Sequence, residues 1–286
     1  SVYNVINGKG ELIWDLPWVK GLKVRAASNY RYYGETQKSW RKDAAQYDWD
    51  SEAPLYANKP VLNHKSSTGY SFTNQAFVEY ANQFGKHNVS ALGGFEQYYE
   101  KTENYWLQRD NYAFFIDQIG VGDANTQTNG GEEAEMGRAA WIGQVKYNYD
   151  NKYYAEGSIR YDGSDMFAPG NRWGLFFSGS LGWVVTAEEF MQDLVERNIL
   201  NSLKLRASYG ETGIDGSTTK EISRYAYMTS YSYNPYAYVM NGQYYPGFTE
   251  GALASPDLTW YTTKQLDFGF DFASLNSRLY GSFDYF

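Results

Sequence analysis

The stretch YNYDNKYYAEGSIRYDGS, residues 147 to 164, divides cleanly when it is read in twos. Tyr147, Tyr149, Tyr153, Ala155, Gly157, Ile159 and Tyr161 take the odd positions, and Asn148, Asp150, Tyr154, Glu156, Ser158, Arg160 and Asp162 the even ones. Side chains alternate faces along a β-strand, so one face is small, aromatic and apolar and the other nearly all polar. For both apolar sets to share a face, Tyr149 must stand opposite Tyr153. A two-residue turn would pair Tyr149 with Lys152 and send the second apolar set to the wrong side. The sequence therefore predicts a three-residue loop, Asp150–Asn151–Lys152, ending in a left-handed or bulged position. Neighbouring runs repeat the division: Trp173, Leu175, Phe177, Leu181, Trp183 and Val185 share a face, with Phe176 and Val184 breaking the rule opposite. Leu203, Leu205, Ala207 and Tyr209 oppose Lys204, Arg206 and Ser208, and Leu266, Phe268, Phe270 and Phe272 oppose Gln265, Asp267, Gly269 and Asp271.

Alternation and turn signals together predict about ten strands, near 3–14, 21–34, 67–84, 88–104, 137–149, 153–164, 173–186, 200–213, 259–273 and 278–286. Most exceed the ordinary soluble strand of about 5–6 residues and are long enough for the roughly 9–11 residues of a tilted membrane strand. The connections alternate in length. DLPWVKG, GKHN, DNK and SLNS are short; the stretches 35–66, 105–136 and 215–258 are long, with DMFAPGNR between them. One short-side connection, TAEEFMQDLVERNIL, has Thr186 and Glu189 at capping-box spacing and predicts a short helix at the rim. Aromatics gather at strand ends, Tyr147, Tyr149 and Tyr153 at one and Trp141, Tyr161 and Trp173 at the other. The eight steps from Trp141 to Tyr149 span roughly 26 Å. Sorted loops and aromatic girdles are the pattern of an all-β, antiparallel transmembrane barrel with short periplasmic turns and long extracellular loops. A second sheet, as in a soluble sandwich, would satisfy the alternation alone. The 29 Tyr, 16 Phe and 9 Trp fit a surface that is wet at one end and apolar at the other. A net charge of −8 speaks against nucleic acid, and the lack of cysteine removes disulfides and thiolate metal sites. No run is long enough for a membrane helix. Strand-like residues at both ends suggest a chain cut within a larger barrel.

Two stretches go beyond a generic barrel. SIRYDGSDMFAPGNRWGLFFSGSLGWVVTAEEF runs into LNSLKLRASYGETGI, and SPDLTWYTTKQLDFGFDF precedes SRLYGSFDYF. Together these resemble the C-terminal barrel part of the SusC/RagA-like TonB-dependent transporters of Bacteroidetes outer membranes, most closely over about 137–286. Departures are Asp165–Met166 where a small and a basic residue are usual, Ile214 where Asn is common, and Tyr261 where an acid is common. The resemblance implies a TonB-energised importer of oligosaccharide or peptide, with a 22-stranded barrel, an N-terminal plug bearing the TonB box, and a SusD-like surface lipoprotein as lid. Residues 1–286 are then barrel domain, and the plug and TonB box lie outside them. Ten strands cannot close such a barrel alone. A passive porin or a soluble glycan-binding sandwich are the alternatives.

No catalytic set stands out. His87 sits in a tight turn and His64 in a long loop without a Ser or Asp partner pattern. Asp48, Asp50 and Glu52 could hold calcium through carboxylates, but the glycine and closing acid of a calcium loop are missing, so the expectation is a solvated acidic loop, no metal and no cofactor. The loop aromatics are the candidate contacts for substrate or lid: Trp40, Tyr47, Trp49 and Tyr56 in the first long loop, Tyr105, Trp106 and Tyr112 in the second, and Tyr231, Tyr233, Tyr236 and Tyr244 in the third. Aromatic faces stack on sugars and on peptide side chains alike, and also pack loops and dock partners. Arg160, Asp162, Lys204 and Arg206 are expected to face the lumen.

Overall fold

The computed structural model describes residues 1–42, 44–50, 54–216 and 222–286; of the acidic trio, Glu52 lies outside them, as does the side chain of Tyr56. Among the described residues the first seven strands are β1 (Val2–Asp15), β2 (Leu22–Arg41), β3 (Ala44–Tyr47), β4 (Pro54–Asn58), β5 (Val61–Phe84), β6 (His87–Asp110) and β7 (Thr128–Tyr149). Then follow β8 (Tyr153–Ser164), β9 (Trp173–Val184), β10 (Leu200–Ile214), β11 (Tyr231–Met240), β12 (Gln243–Glu250), β13 (Tyr261–Ser274) and β14 (Leu279–Tyr285). Ten of them form one sheet in the order β1-β2-β5-β6-β7-β8-β9-β10-β13-β14, while β3–β4 and β11–β12 are separate hairpins within the first and third long connections. The chain packs as two units, one of residues 1–10, 28–73 and 98–136, the other of 11–27, 74–97 and 137–286.

The ten expected strands are present in the expected order. Several extend further on the long-connection side: β5 begins at Val61, β6 ends at Asp110 and β7 begins at Thr128. The stretch TNGGEEAE at the start of β7 has no period-two pattern because both its faces are polar. There the ladder alone carries the strand, helped by Lys101, which reaches Glu133 at 2.9 Å and Glu135 at 3.5 Å. His64 accordingly lies in β5 and Trp106 in β6, not in loops.

The register of the opening hairpin is as the alternation requires, with Tyr149 paired to Tyr153, Val145 to Gly157 and Trp141 to Tyr161. The turn is closed by Lys152 N–H donating to the Tyr149 carbonyl at 2.9 Å. Its left-handed residues are Asp150 (φ 52°) and Asn151 (φ 55°), so they open the loop and do not end it. Asn148 steadies the turn by accepting from the Asn151 N–H at 2.9 Å. This is the side-chain-to-backbone bond that lets Asn and Asp tolerate such turns.

The expected capping box does not form. Short 3-10 turns at Val185–Ala187 and Glu189–Met191 lead into α1 (Gln192–Glu196), which has no side-chain cap. The Thr186 hydroxyl instead accepts from the Leu203 N–H at 3.1 Å, which fastens the connection to β10. Glu189 is therefore left without its reciprocal role.

The apolar face of the sheet is uncovered: Leu181 is 65% exposed and Val145 53%. A soluble sandwich would have buried them. Burial in the second unit collects instead where β8, β9 and β10 end, at Ser164, Met166, Phe167, Phe176 and Asp215.

Candidate functional site

Registers across β7–β10 and β13–β14 extend the division of the first hairpin into two continuous faces. On the polar face Gln144 stands opposite Ser158, Lys146 opposite Glu156, Arg206 opposite Gly182 and Gly269, and Ser208 opposite Asp267. Its charged groups are tied to one another. Arg160 is 2.8 Å from Asp162, and Arg206 lies 2.9 Å from Asp271 and 3.0 Å from Asp284. Lys204 sits over the Tyr154 ring at 4.9 Å. A bay of about 710 Å³ opens on this face between Lys146, Glu156, Lys204, Arg206 and Asp267. Arg160, Asp162, Lys204 and Arg206 share this face of the sheet.

The apolar face is bounded by aromatics at both ends. Near the long connections Tyr161 stacks on Trp173 at 4.8 Å and Phe95 meets Trp141 at 4.9 Å. Near the short turns Tyr149 stacks on Tyr153 at 6.3 Å, and the Tyr147 hydroxyl and His87 Nδ1 share a hydrogen bond of 2.8 Å. Trp173 and Trp183 mark the two ends of β9, ten residues apart. At about 3.3 Å per residue and a tilt of about 40°, that separation projects to roughly 25 Å, the height of an outer-membrane apolar band.

Charged groups close the short-turn end. Glu188 accepts from the Tyr153 hydroxyl, from Trp183 Nε1 at 3.2 Å and from Lys152 Nζ at 3.4 Å. These bonds, that of Tyr153 first, hold its carboxyl below the usual carboxylate range. Lys86 meets Asp150 at 2.7 Å, and that bond pushes the ammonium above its usual range.

The long-connection end is more elaborate, and none of its key residues stood out from spacing. Arg138, at the inner end of the polar run of β7, donates two bonds of 2.9 Å to Asp215, which follows β10. The Ser164 hydroxyl adds a third at 2.8 Å. Asp165 accepts from Gly137 N–H at 2.8 Å and from Arg224. Trp260, just before β13, donates to the Arg172 carbonyl at 2.9 Å and packs against Phe167 and Phe176, each at 5.5 Å. Phe176 breaks the polar alternation because Gly174 and Gly213 leave room for its ring; a Cβ at Gly213 would run into it. All three motif stretches that carry the family resemblance converge here: RYDGSDMFAPGNRW, GETGID and PDLTW.

The aromatic candidates fall into separate places. Trp49 follows β3 and is 96% exposed, and Trp106 lies on β6 against Gly130. Trp40 lies at the end of β2, not in a loop, and packs edge-on against Tyr112 at 4.6 Å and Phe115 at 4.8 Å of the second long connection. Tyr231, Tyr233, Tyr236 and Tyr244 come together on the β11–β12 hairpin, all exposed, with Tyr236 and Tyr244 in edge contact at 5.4 Å and Tyr233 against Phe248 at 5.9 Å. The sequence read this segment as loop; its tyrosines in fact alternate on a β-ladder interrupted between Asn234 and Tyr238. Asp48 accepts from the Asp50 N–H at 3.0 Å, a local turn. Among the described residues no three His, Cys, Asp or Glu converge to hold a metal.

Residues 4–286 match the model of the family described as TonB dependent receptor-like, beta-barrel. The chain is 33% identical over 214 residues to TonB-dependent receptor P3 of Formosa agariphila, covering 73% of this chain and 20% of that protein. It is 26% identical over 276 residues to TonB-dependent receptor SusC of Bacteroides thetaiotaomicron, covering 93% of this chain and 24% of SusC. Among solved structures, a chain of the RagAB peptide importer in its closed-closed state superposes with a TM-score of 0.79 at 22% identity, covering 99% of this chain and 30% of that one. The chain thus spans between about a fifth and a third of the length of these relatives. Uncovered apolar strands, aromatic girdles and sorted connections agree with these matches: the chain belongs to the TonB-dependent receptor-like β-barrel family and forms part of the wall of an outer-membrane barrel.

Proposed function

We propose that this chain supplies wall and mouth to a TonB-energised importer of oligosaccharide or peptide, closed from outside by a SusD-like lipoprotein. The polar face, with Arg160, Asp162, Lys204 and Arg206, lines the lumen; TonB acts through a plug segment elsewhere in the protein. The observation that carries the reading is the β11–β12 hairpin, which presents Tyr231, Tyr233, Tyr236 and Tyr244 exposed on a paired scaffold. Rigid aromatic area binds sugar faces and peptide side chains at low entropic cost, and it serves a protein lid equally well. Trp49 and Trp106 are further candidate contacts. The wall has no catalytic task and needs no cofactor.

The test uses the full-length protein in its own outer membrane. Replacing residues 231–250 by a short turn is expected to abolish both nutrient-dependent growth through this importer and co-purification of the lipoprotein, with the barrel still heat-modifiable. Undiminished growth and undiminished lid capture would remove the hairpin from both roles. Growth that survives deletion of TonB would make the protein a passive pore.

A further inference from the structure

The long connection 215–260 leaves the wall beside Asp215 and returns beside Trp260, and two ion pairs secure this base. They differ in kind. Asp215 is only 4% exposed, and Arg138 meets both its oxygens, with Ser164 on the second. The planar guanidinium fork is matched to the carboxylate through two bonds of 2.9 Å. Asp165 and Arg224 are joined through a single oxygen and a single nitrogen. Asp165 Oδ1 and Arg224 Nε are both buried and unbonded, so each partner keeps an unused bonding position. The carboxylates differ in access to water, Asp165 being 31% exposed against 4% for Asp215, whereas Arg138 at 34% is no more covered than Arg224 at 20%. One pair is built to stay closed and the other to open at modest cost.

Arg224 is also the nearer of the two to the tyrosines. Just beyond it the two limbs of the connection meet, Ser255 N–H donating to Ala226 O at 2.8 Å and Gly251 N–H to Ser230 O at 2.8 Å. From that neck the β11–β12 hairpin follows directly; its return limb is also held by Asn171 Nδ2 donating to Pro256 O at 3.0 Å, so releasing Arg224 loosens the outgoing limb and the hairpin while Asp215 stays fixed. Asp165 is one of the positions where the sequence departs from the family pattern, and its partner lies in the connection that carries the exposed tyrosines.

We propose that Asp165 and Arg224 are positioning residues, a releasable clasp that sets where the tyrosine hairpin stands over the mouth, while Arg138–Asp215 is the permanent anchor of the same connection. The proposal rests on the reading of the hairpin as a contact surface only for its purpose, not for its mechanics.

The test uses full-length protein in outer-membrane vesicles, with a nitroxide on Gln243→Cys at the hairpin tip and limited proteolysis of 222–260. Arg224→Gln and Asp165→Asn are each expected to raise cleavage of the connection by about tenfold and to sharpen the nitroxide lines, because cleavage follows the open population. Barrel unfolding should not move. Arg224→Lys should behave as wild type, since a single-donor bond needs no fork, whereas Arg138→Lys should not replace Arg138. Unchanged cleavage and line shape in Arg224→Gln would overturn the clasp, as would loss of the whole barrel in that variant. Lid co-purification from the same vesicles separates the two readings. A loosened hairpin with the lid still captured keeps the clasp and removes the hairpin from lid docking.

Discussion

At the short-turn rim, Glu188 gathers Tyr153, Trp183 and Lys152 from within a few dozen residues of itself and is half-buried among them. At the long-connection rim, Asp215 takes Arg138 from 77 residues away and Ser164 from 51, and is buried with Ser164 while Arg138 stays half-buried. The same chemistry, a carboxylate between cation and hydroxyl, thus does different work. On the first rim it trims the edge of an apolar band that lipid and aromatics already fix. On the second it ties the last β7–β8 pair, Arg138 and Ser164, to the residue that follows β10. Burial of the carboxylate, and the distance in sequence of its partners, separate the two.

That comparison can be broken in order of size. Asp215→Ala removes the buried carboxylate that takes both Arg138 bonds and the Ser164 hydroxyl, and should cost about 3–5 kcal/mol in refolding of the full-length protein into lipid vesicles. A cost no greater than that of an exposed pair would erase the distinction between the rims. Between them lies the band itself, where Val145→Arg on the uncovered face should cost about 2–4 kcal/mol near the midplane. Gln144→Arg, one residue along and bonded to Glu156 at 2.7 Å, should be close to silent. Equal refolding of the two would reverse the assignment of faces. Gly213→Ala drives a methyl into Phe176 and should cost about 1–3 kcal/mol, whereas Gly157→Ala meets open space. If both were neutral in denaturant titration, the packing of Phe176 under Trp260 would not matter to the long-connection rim.

The smallest effect belongs to Glu188. Its carboxyl is held below the ordinary range, chiefly by the Tyr153 hydroxyl. A depressed carboxylate contributes stability that is fully present above its unfolded pKa and is lost as pH falls through the lower folded value. Tyr153→Phe should therefore lower stability slightly at neutral pH and flatten the acid limb, the variant and wild-type profiles converging at low pH. An acid limb identical to wild type would mean that this rim contributes nothing through Glu188.

What the sequence disclosed follows the same division. The wall was legible because one face of each strand is apolar, so period two, the Tyr149–Tyr153 register and the girdles could all be read from residue order. Where both faces are polar, as in TNGGEEAE, the pattern vanishes though the ladder continues, and β7 was read too short. The Thr186–Glu189 spacing suggested a cap, but the Thr186 hydroxyl found Leu203, a partner distant in sequence. Arg138, Asp215 and Arg224 carry no local signal, because each is defined by a partner brought in by the fold. The motif residues around them were recognisable as a family pattern, yet their task, holding the rim, appears only when the three stretches are seen together. The tyrosines of 231–250 were picked out by density alone, and their pairing on a hairpin was hidden by the break between Asn234 and Tyr238.

The base of the 215–260 connection has one more consequence. Entry and exit are held by wall residues, Arg138 and Ser164 on one side and the Arg172 carbonyl beneath Trp260 on the other. Whatever lies between those two fastenings can be lengthened, shortened or exchanged without asking the strands to re-register. The wall is in effect a socket with a fixed footprint. An insertion or deletion between GETGID and PDLTW is thus borne by the connection alone, and the footprint on the wall stays the same.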